Sequence, residues 1–180
     1  RAEIRKPEHS VLWFVNHGDE YLWLDNGTAE EANIKAISPE ELTEDLVIRA
    51  ENNGGRLSDL VIIIDACSSG SVAIRARNEL RLAKESGKVK DMPLIITFTN
   101  EKVIGYSHVL GISLKKLADN KQDLEQGTSL GEFLAGVRKD VEQQEHLLVI
   151  YELTPEEADE LESITGKKED FIYGTDTTPT

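Results

Sequence analysis

The chain has 180 residues, 20 of them basic and 34 acidic, with a formal net charge of −14. This length supports one domain with a substantial core, and so negative a charge argues against direct nucleic-acid binding. Cysteine occurs once, at Cys67, which excludes a secreted scaffold held by internal disulfides. No apolar run approaches the ~18 residues of a membrane-spanning helix. We therefore expect a cytoplasmic protein that contacts no membrane.

Four short apolar runs, rich in β-branched or aromatic residues, predict strands. They are VLWFV (11–15), LVIII (60–64), LIITF (94–98) and LLVIY (147–151). Their apolarity is continuous rather than alternating, which is typical of strands buried on both faces, as in a parallel sheet. A further segment, EYLWLDNG (20–27), predicts a short strand that ends in an Asn-Gly turn.

Helical patterns lie between these runs. Ser38, Pro39 and Glu41 form the pattern of an N-cap, a proline in the first turn and a capping-box glutamate. Further helices are predicted at about 72–86, at about 107–120 and from 128 or 129 onward. Strands that alternate with helices predict an α/β fold, with a doubly wound, mostly parallel sheet and helices on both faces.

Charge divides the chain unevenly. Residues 141–180 hold eleven acidic and two basic residues, so much of the net negative charge lies there. We expect residues 1–150 to form the core domain and residues 151–180 to form an acidic helix with a polar tail.

Polar residues follow two of the predicted strands directly. NHGDE (16–20) follows the first run, and DACSSGS (65–71) follows the second. In an open parallel sheet, active groups gather beyond the carboxyl ends of the strands. If these two strands are neighbours, His17 and Cys67 emerge at one edge, where an imidazole can accept the proton of a thiol nucleophile.

Neighbouring residues fit the same chemistry. Gly18 allows a close approach of the backbone, and its N–H with that of Cys67 could stabilise an oxyanion. The helix expected to begin near Ser71 would place Cys67 close to a positive helix terminus, which lowers the pKa of a thiol.

These motifs resemble a known family. An apolar strand ending in His-Gly, then an apolar strand ending in Asp65-Ala66-Cys67-Ser68-Ser69-Gly70, is similar to the clan CD cysteine peptidases. That clan contains caspases, metacaspases, legumains, separases, gingipains and bacterial CHAT-type proteases. His17 and Cys67 are 50 positions apart, which agrees with the spacing of about 50 in caspases. The resemblance covers roughly residues 10–150 and implies a caspase-like fold.

The resemblance also implies roles. It makes Cys67 the nucleophile, His17 the general acid and base, and the amides of Gly18 and Cys67 the oxyanion hole. The position two before the cysteine lines the primary specificity pocket in these families. Here it is Asp65, and a buried carboxylate favours arginine or lysine at P1, because a guanidinium pairs with it bidentately.

Further features of the family bear on the rest of the chain. Thr99 and Asn100 match the small polar residues that form a pocket wall after the next strand. The family's sheet begins before its His-Gly strand, whereas only sixteen residues precede His17. We therefore expect a fragment of a larger polypeptide whose sheet is completed by a missing N-terminal portion or a partner chain. An activating partner is also possible in this family, and no cofactor or metal is expected.

Other interpretations stay open. Cys67 could be a buried structural cysteine, and Asp65 could cap the following turn or helix. The domain could be a catalytically silent relative that binds a regulatory partner. It could also catalyse acyl transfer with the same residues, since only the group that resolves the thioester would differ.

Overall fold

The computed structural model describes residues 1–16, 21–24, 35–66, 69–97 and 149–151, together with Gly111, Ile112, Lys115, Asp119, Gly136, Val137, Asp159 and Ser163. Its strands are β1 (Val11–Asn16), β2 (Leu22–Leu24), β3 (Lys35–Ile37), β4 (Val61–Ala66), β5 (Leu94–Thr97) and β6 (Val149–Tyr151). Its helices are α1 (Pro39–Asn52) and α2 (Ser69–Glu85).

The main sheet has the strand order β1-β4-β5-β6. β1, β4 and β5 are parallel, and β6 is antiparallel to β5. All four apolar runs therefore lie in one sheet. β2 and β3 form a separate antiparallel pair, which confirms a short strand within residues 20–27. The Asn-Gly turn predicted after it lies outside the described residues.

Local sequence accounts for the start and end of α1. The hydroxyl of Ser38 accepts a hydrogen bond from the amide of Glu41 at 3.1 Å, and the Glu41 carboxylate accepts one from the Ser38 amide at 3.1 Å. This reciprocal pair satisfies two amides that have no partner inside the helix, as the sequence predicts. After Asn52 the chain turns through Gly54 and Gly55, which have φ angles of 64° and 89° that favour glycine.

One apolar core joins the two helices to the sheet. It contains Leu42, Leu46 and Ala50 of α1, Val72, Ala73, Ala76 and Leu80 of α2, and Ile62, Ile64, Ala66 and Ile95 of the sheet. Because α1 and α2 share this core and contact each other, they cover the same face of the sheet. The strand order β1-β4-β5 continues in one direction, as two crossovers of the same hand on one face require.

The other face of the sheet is buried as well. Side chains alternate along a strand, so Ile63 and Ile96 point away from α1 and α2. They are 6% and 1% exposed. Burial on both sides confirms the prediction from continuous apolarity in β4 and β5. The fold is α/β with a mostly parallel sheet.

The later predicted helices fall largely outside the described residues. The isolated residues described within them, Gly111, Ile112, Lys115, Asp119, Gly136 and Val137, are helical. The predicted start of the second helix near residue 72 was late, because α2 begins at Ser69. Within the described part of the chain, no helix is both long enough and apolar enough to cross a membrane.

Candidate functional site at the carboxyl edge of the sheet

The carboxyl ends of β1 and β4 coincide. The two strands pair over their full lengths, from Val11 opposite Val61 to Asn16 opposite Ala66. The residues that come next in the sequence are His17 and Cys67. His17, Gly18 and Cys67 themselves lie outside the described residues, so the description of this site ends at the paired strand ends. The sequence-based expectation that the two strands are neighbours, parallel and of equal reach is confirmed.

α2 starts close to this edge. Its first residue, Ser69, comes two positions after Cys67 in the sequence. The unpaired amides in the first turn of a helix carry a partial positive charge, which stabilises an anion placed near them. The first turn of α2 contains no acidic residue that would neutralise this charge.

Asp65 is placed at the same edge and is fully buried, with 0% exposure. It pairs in register with Val15 of β1. Because Ile64 and Ala66 belong to the core under the helices, alternation places Asp65 on the opposite face, with Ile63. Asp65 has an interaction partner within the protein. A carboxylate at this position could line a pocket only on the face away from α1 and α2.

β5 contributes the third strand end. Thr97 is fully buried and pairs with Ile64 on one side and Val149 on the other. Thr99 and Asn100, the predicted pocket-wall residues, lie outside the described residues. Since β6 is antiparallel to β5, the segment between them leaves from and returns to the carboxyl edge of the sheet.

The segment before β1 is fixed to α1 by a buried arginine. Arg49 has 0% exposure, and its guanidinium donates hydrogen bonds to the main-chain carbonyls of Lys6, Pro7 and His9. Its Nε is buried and finds no hydrogen-bond partner in the described structure. Burial lowers the pKa of Arg49. The next carbonyl along, that of Ser10, accepts from the amide of Val61 at 2.9 Å and starts the pairing of β1 with β4.

Ion pairs strengthen the same attachment. The carboxylate of Asp45 has 0% exposure and pairs with Arg1 at 2.6 Å and with Arg5 at 2.7 Å. Arg1 also reaches Glu41 at 2.7 Å. We call residues 1–10, held in this way to α1, the N-terminal clamp. Sequence analysis missed it, although Arg49 and Asp45 fall among the core-facing positions of α1, where a charged residue signals a buried partner.

Replacing Asp45 with asparagine should lower the free energy of unfolding at pH 7 by about 2 kcal/mol, because the pairs with both arginines are lost. Burial raises the pKa of Asp45, but the bonds from Arg1 and Arg5 outweigh it and leave the pKa below its ordinary value of 3.8. The stabilisation is therefore complete above pH 3.8 and is lost as the pH falls through the lower, folded-state pKa. Urea unfolding of both proteins at several pH values measures this difference.

Glu51→Gln is the matched control for this experiment, since Glu51 is an exposed carboxylate on the same helix. It should change stability little at any pH. A deficit of Asp45→Asn that stayed constant into strongly acidic solution would contradict the ionic origin of the effect.

Among the described residues, no group of three or more His, Cys, Asp or Glu side chains is placed to hold a metal ion. Together, the sheet and its helices define an α/β protein with its polar strand ends at one edge. Comparison with family models, with characterised proteins and with solved structures finds no significant match to this chain.

Proposed function

We propose that this protein is a caspase-like cysteine endopeptidase with a doubly wound sheet. The observation that supports this most is the full pairing of β1 with β4, which ends at Asn16 and Ala66, directly before His17 and Cys67. A thiol and an imidazole that follow neighbouring parallel strand ends have the separation that nucleophilic catalysis needs. Asp65, buried at the same edge, supports a pocket for a basic P1 side chain.

The proposed reaction proceeds in two steps. The Cys67 thiolate attacks the carbonyl carbon of the scissile peptide bond, and the amides of Gly18 and Cys67 stabilise the resulting oxyanion. When the C–N bond breaks, His17 donates a proton to the leaving amine, and a thioester remains on Cys67. Water, deprotonated by His17, then attacks the thioester and releases the carboxylic acid and the thiol.

The substrate in this proposal is a protein or peptide with arginine or lysine at P1. The guanidinium or ammonium group would pair with Asp65, and Thr99 with Asn100 would form a wall of the pocket. A P1 aspartate is disfavoured, because two carboxylates would face each other.

Hydrolysis of fluorogenic peptides that differ only at P1 tests the proposal. With Arg, Lys, Asn and Asp at that position, we expect cleavage after Arg and Lys. Cys67→Ala should lower kcat/KM by at least about a thousandfold, because no other group can form the thioester. His17→Ala should have a comparable effect.

His9→Ala is the matched control, since His9 contacts only the surface residue Glu3 through its ring and should leave the rate unchanged. Cleavage that persists in Cys67→Ala would overturn the proposal. Transfer of the acyl group to an added amine, with both variants inactive, would keep the nucleophile and change the reaction to acyl transfer. No turnover of any peptide would favour a catalytically silent domain that binds a partner.

A further inference from the structure

A solvent-open groove runs along the contact between α1 and α2, away from the carboxyl edge residues described above. Its volume is about 520 Å³, and described residues of α1, α2 and the following turn line it. Val47, Leu82 and Ala83 supply an apolar floor, while Glu40, Glu44 and Glu79 supply carboxylates. We call this feature the α1–α2 groove. A volume of this size accommodates several side chains of a bound segment.

The floor of the groove is apolar surface that the fold leaves in water. The side chain of Leu82 belongs to a residue that is 58% exposed, the most exposed of the large apolar residues in the described chain. Val47 is half-buried and packs against the core from below. Because Val47 and Leu82 come from different helices, an aliphatic side chain inserted between them would contact both. Such an anchor, set between two helices, is how an amphipathic helix docks on a protein surface.

The charges around the floor select the sign of the partner. Three carboxylates line the groove against one cation, Lys88. The pKa of Glu40 is lowered by the backbone at the start of α1, by Ser38 and by Arg75, so this carboxylate stays ionised at neutral pH. Glu44 keeps 71% of its side-chain surface exposed, and is therefore accessible to a partner even with Arg1 3.3 Å away.

The same charges argue against an occupant from this chain. Residues 141–180 carry eleven acidic and two basic residues, and a second copy brings a net charge of −14. Either would meet the carboxylates of the groove with like charge, which costs affinity and slows association. A cationic partner gains on both counts.

We propose that the α1–α2 groove binds a basic amphipathic segment of another protein. Aliphatic side chains of that segment pack on Val47 and Leu82, and its lysine or arginine residues pair with Glu44 and Glu79. This proposal does not depend on the peptidase chemistry, because none of these residues belongs to the proposed catalytic edge.

Fluorescence anisotropy with a labelled helical peptide tests the proposal. The probe is about 15 residues long, with leucines at helical spacing on one face and lysines on the other, and the reference peptide has glutamate in place of every lysine. At about 0.15 M salt, where long-range attraction is screened, the lysine peptide should bind to the protein with a Kd near ~10 µM. The glutamate peptide should not bind.

Two variants and their controls assign the binding to the groove. Glu79→Lys and Leu82→Ser should each weaken binding of the lysine peptide by about tenfold or more. Glu51→Lys makes the same change of charge outside the groove, and Val11→Ser removes an apolar residue that is 53% exposed on β1. Both controls should bind like the original protein.

Three results would overturn the proposal. The lysine peptide could fail to bind at concentrations up to about 1 mM. Glu51→Lys could weaken binding as much as Glu79→Lys, which would show attraction to overall charge alone. The glutamate peptide could bind equally well, which would show that the groove does not select a cationic partner.

Discussion

Asp65→Asn should lower kcat/KM for substrates with arginine or lysine at P1 by about a thousandfold. A pocket built around a buried carboxylate loses its ionic partner for the cation, and discrimination of this size is typical of sites that pair a specific polar group. The amide keeps the volume of the carboxylate, so little repacking is expected at this fully buried position. Steady-state rates on the four P1 peptides, measured together with thermal unfolding, give both quantities.

The control for this experiment is Asp59→Asn, since Asp59 is exposed and lies before β4, at the opposite end from Asp65. It should leave all four rates unchanged. If Asp65→Asn lowers stability while the ratio of rates between basic and neutral P1 residues stays the same, Asp65 has a structural role, such as capping the following turn. That outcome would remove Asp65 from the pocket and leave the proposed dyad intact.

Arg49→Met should lower the free energy of unfolding by about 3 kcal/mol. Methionine fills much of the same space but donates no hydrogen bond, so the carbonyls of Lys6, Pro7 and His9 lose their partner. Relief from burying a charge offsets part of this cost. The loss is a large fraction of the roughly 5–15 kcal/mol that holds a typical domain folded. Urea unfolding at neutral pH measures it.

Hydrogen exchange then locates the effect. Amides of β1 that pair with β4 should exchange faster in Arg49→Met, because the N-terminal clamp holds the segment that enters β1. Arg56→Met is the matched control, since the Arg56 side chain is 64% exposed and its contact with Asp91 is 3.8 Å long. If Arg49→Met unfolds like the original protein, the buried guanidinium contributes nothing net to stability.

Much of the fold follows from local patterns in the sequence. Continuous aliphatic runs predicted β1, β4, β5 and β6, and the capping box predicted the start of α1 within one residue. These succeed because burial on two faces and the satisfaction of helix-end amides act over short stretches of chain. The start of α2 at Ser69 was harder to predict, since serine and glycine are weak helix formers and favour turns.

Other features depend on contacts between distant residues. The N-terminal clamp joins residues 1–9 to Asp45 and Arg49, and no local pattern connects those segments. The α1–α2 groove arises from the angle between two helices, so the exposure of Leu82 is not visible in the periodicity of α2 alone. For the candidate site, the sequence predicted which strands meet. The distance between the Cys67 thiol and the His17 imidazole depends on residues outside the described part of the chain.

The N-terminal clamp also bears on the order of folding. β1 pairs with β4 across a separation of 50 residues, whereas the clamp bonds span 40 to 44 residues and end at α1, before β4 begins. During synthesis, residues 1–52 can therefore associate before β4 has emerged. β1 would then be held in place when β4 arrives, so that closing the remaining loop costs less chain entropy. The clamp can thus act as a template for a parallel pairing that would otherwise form slowly.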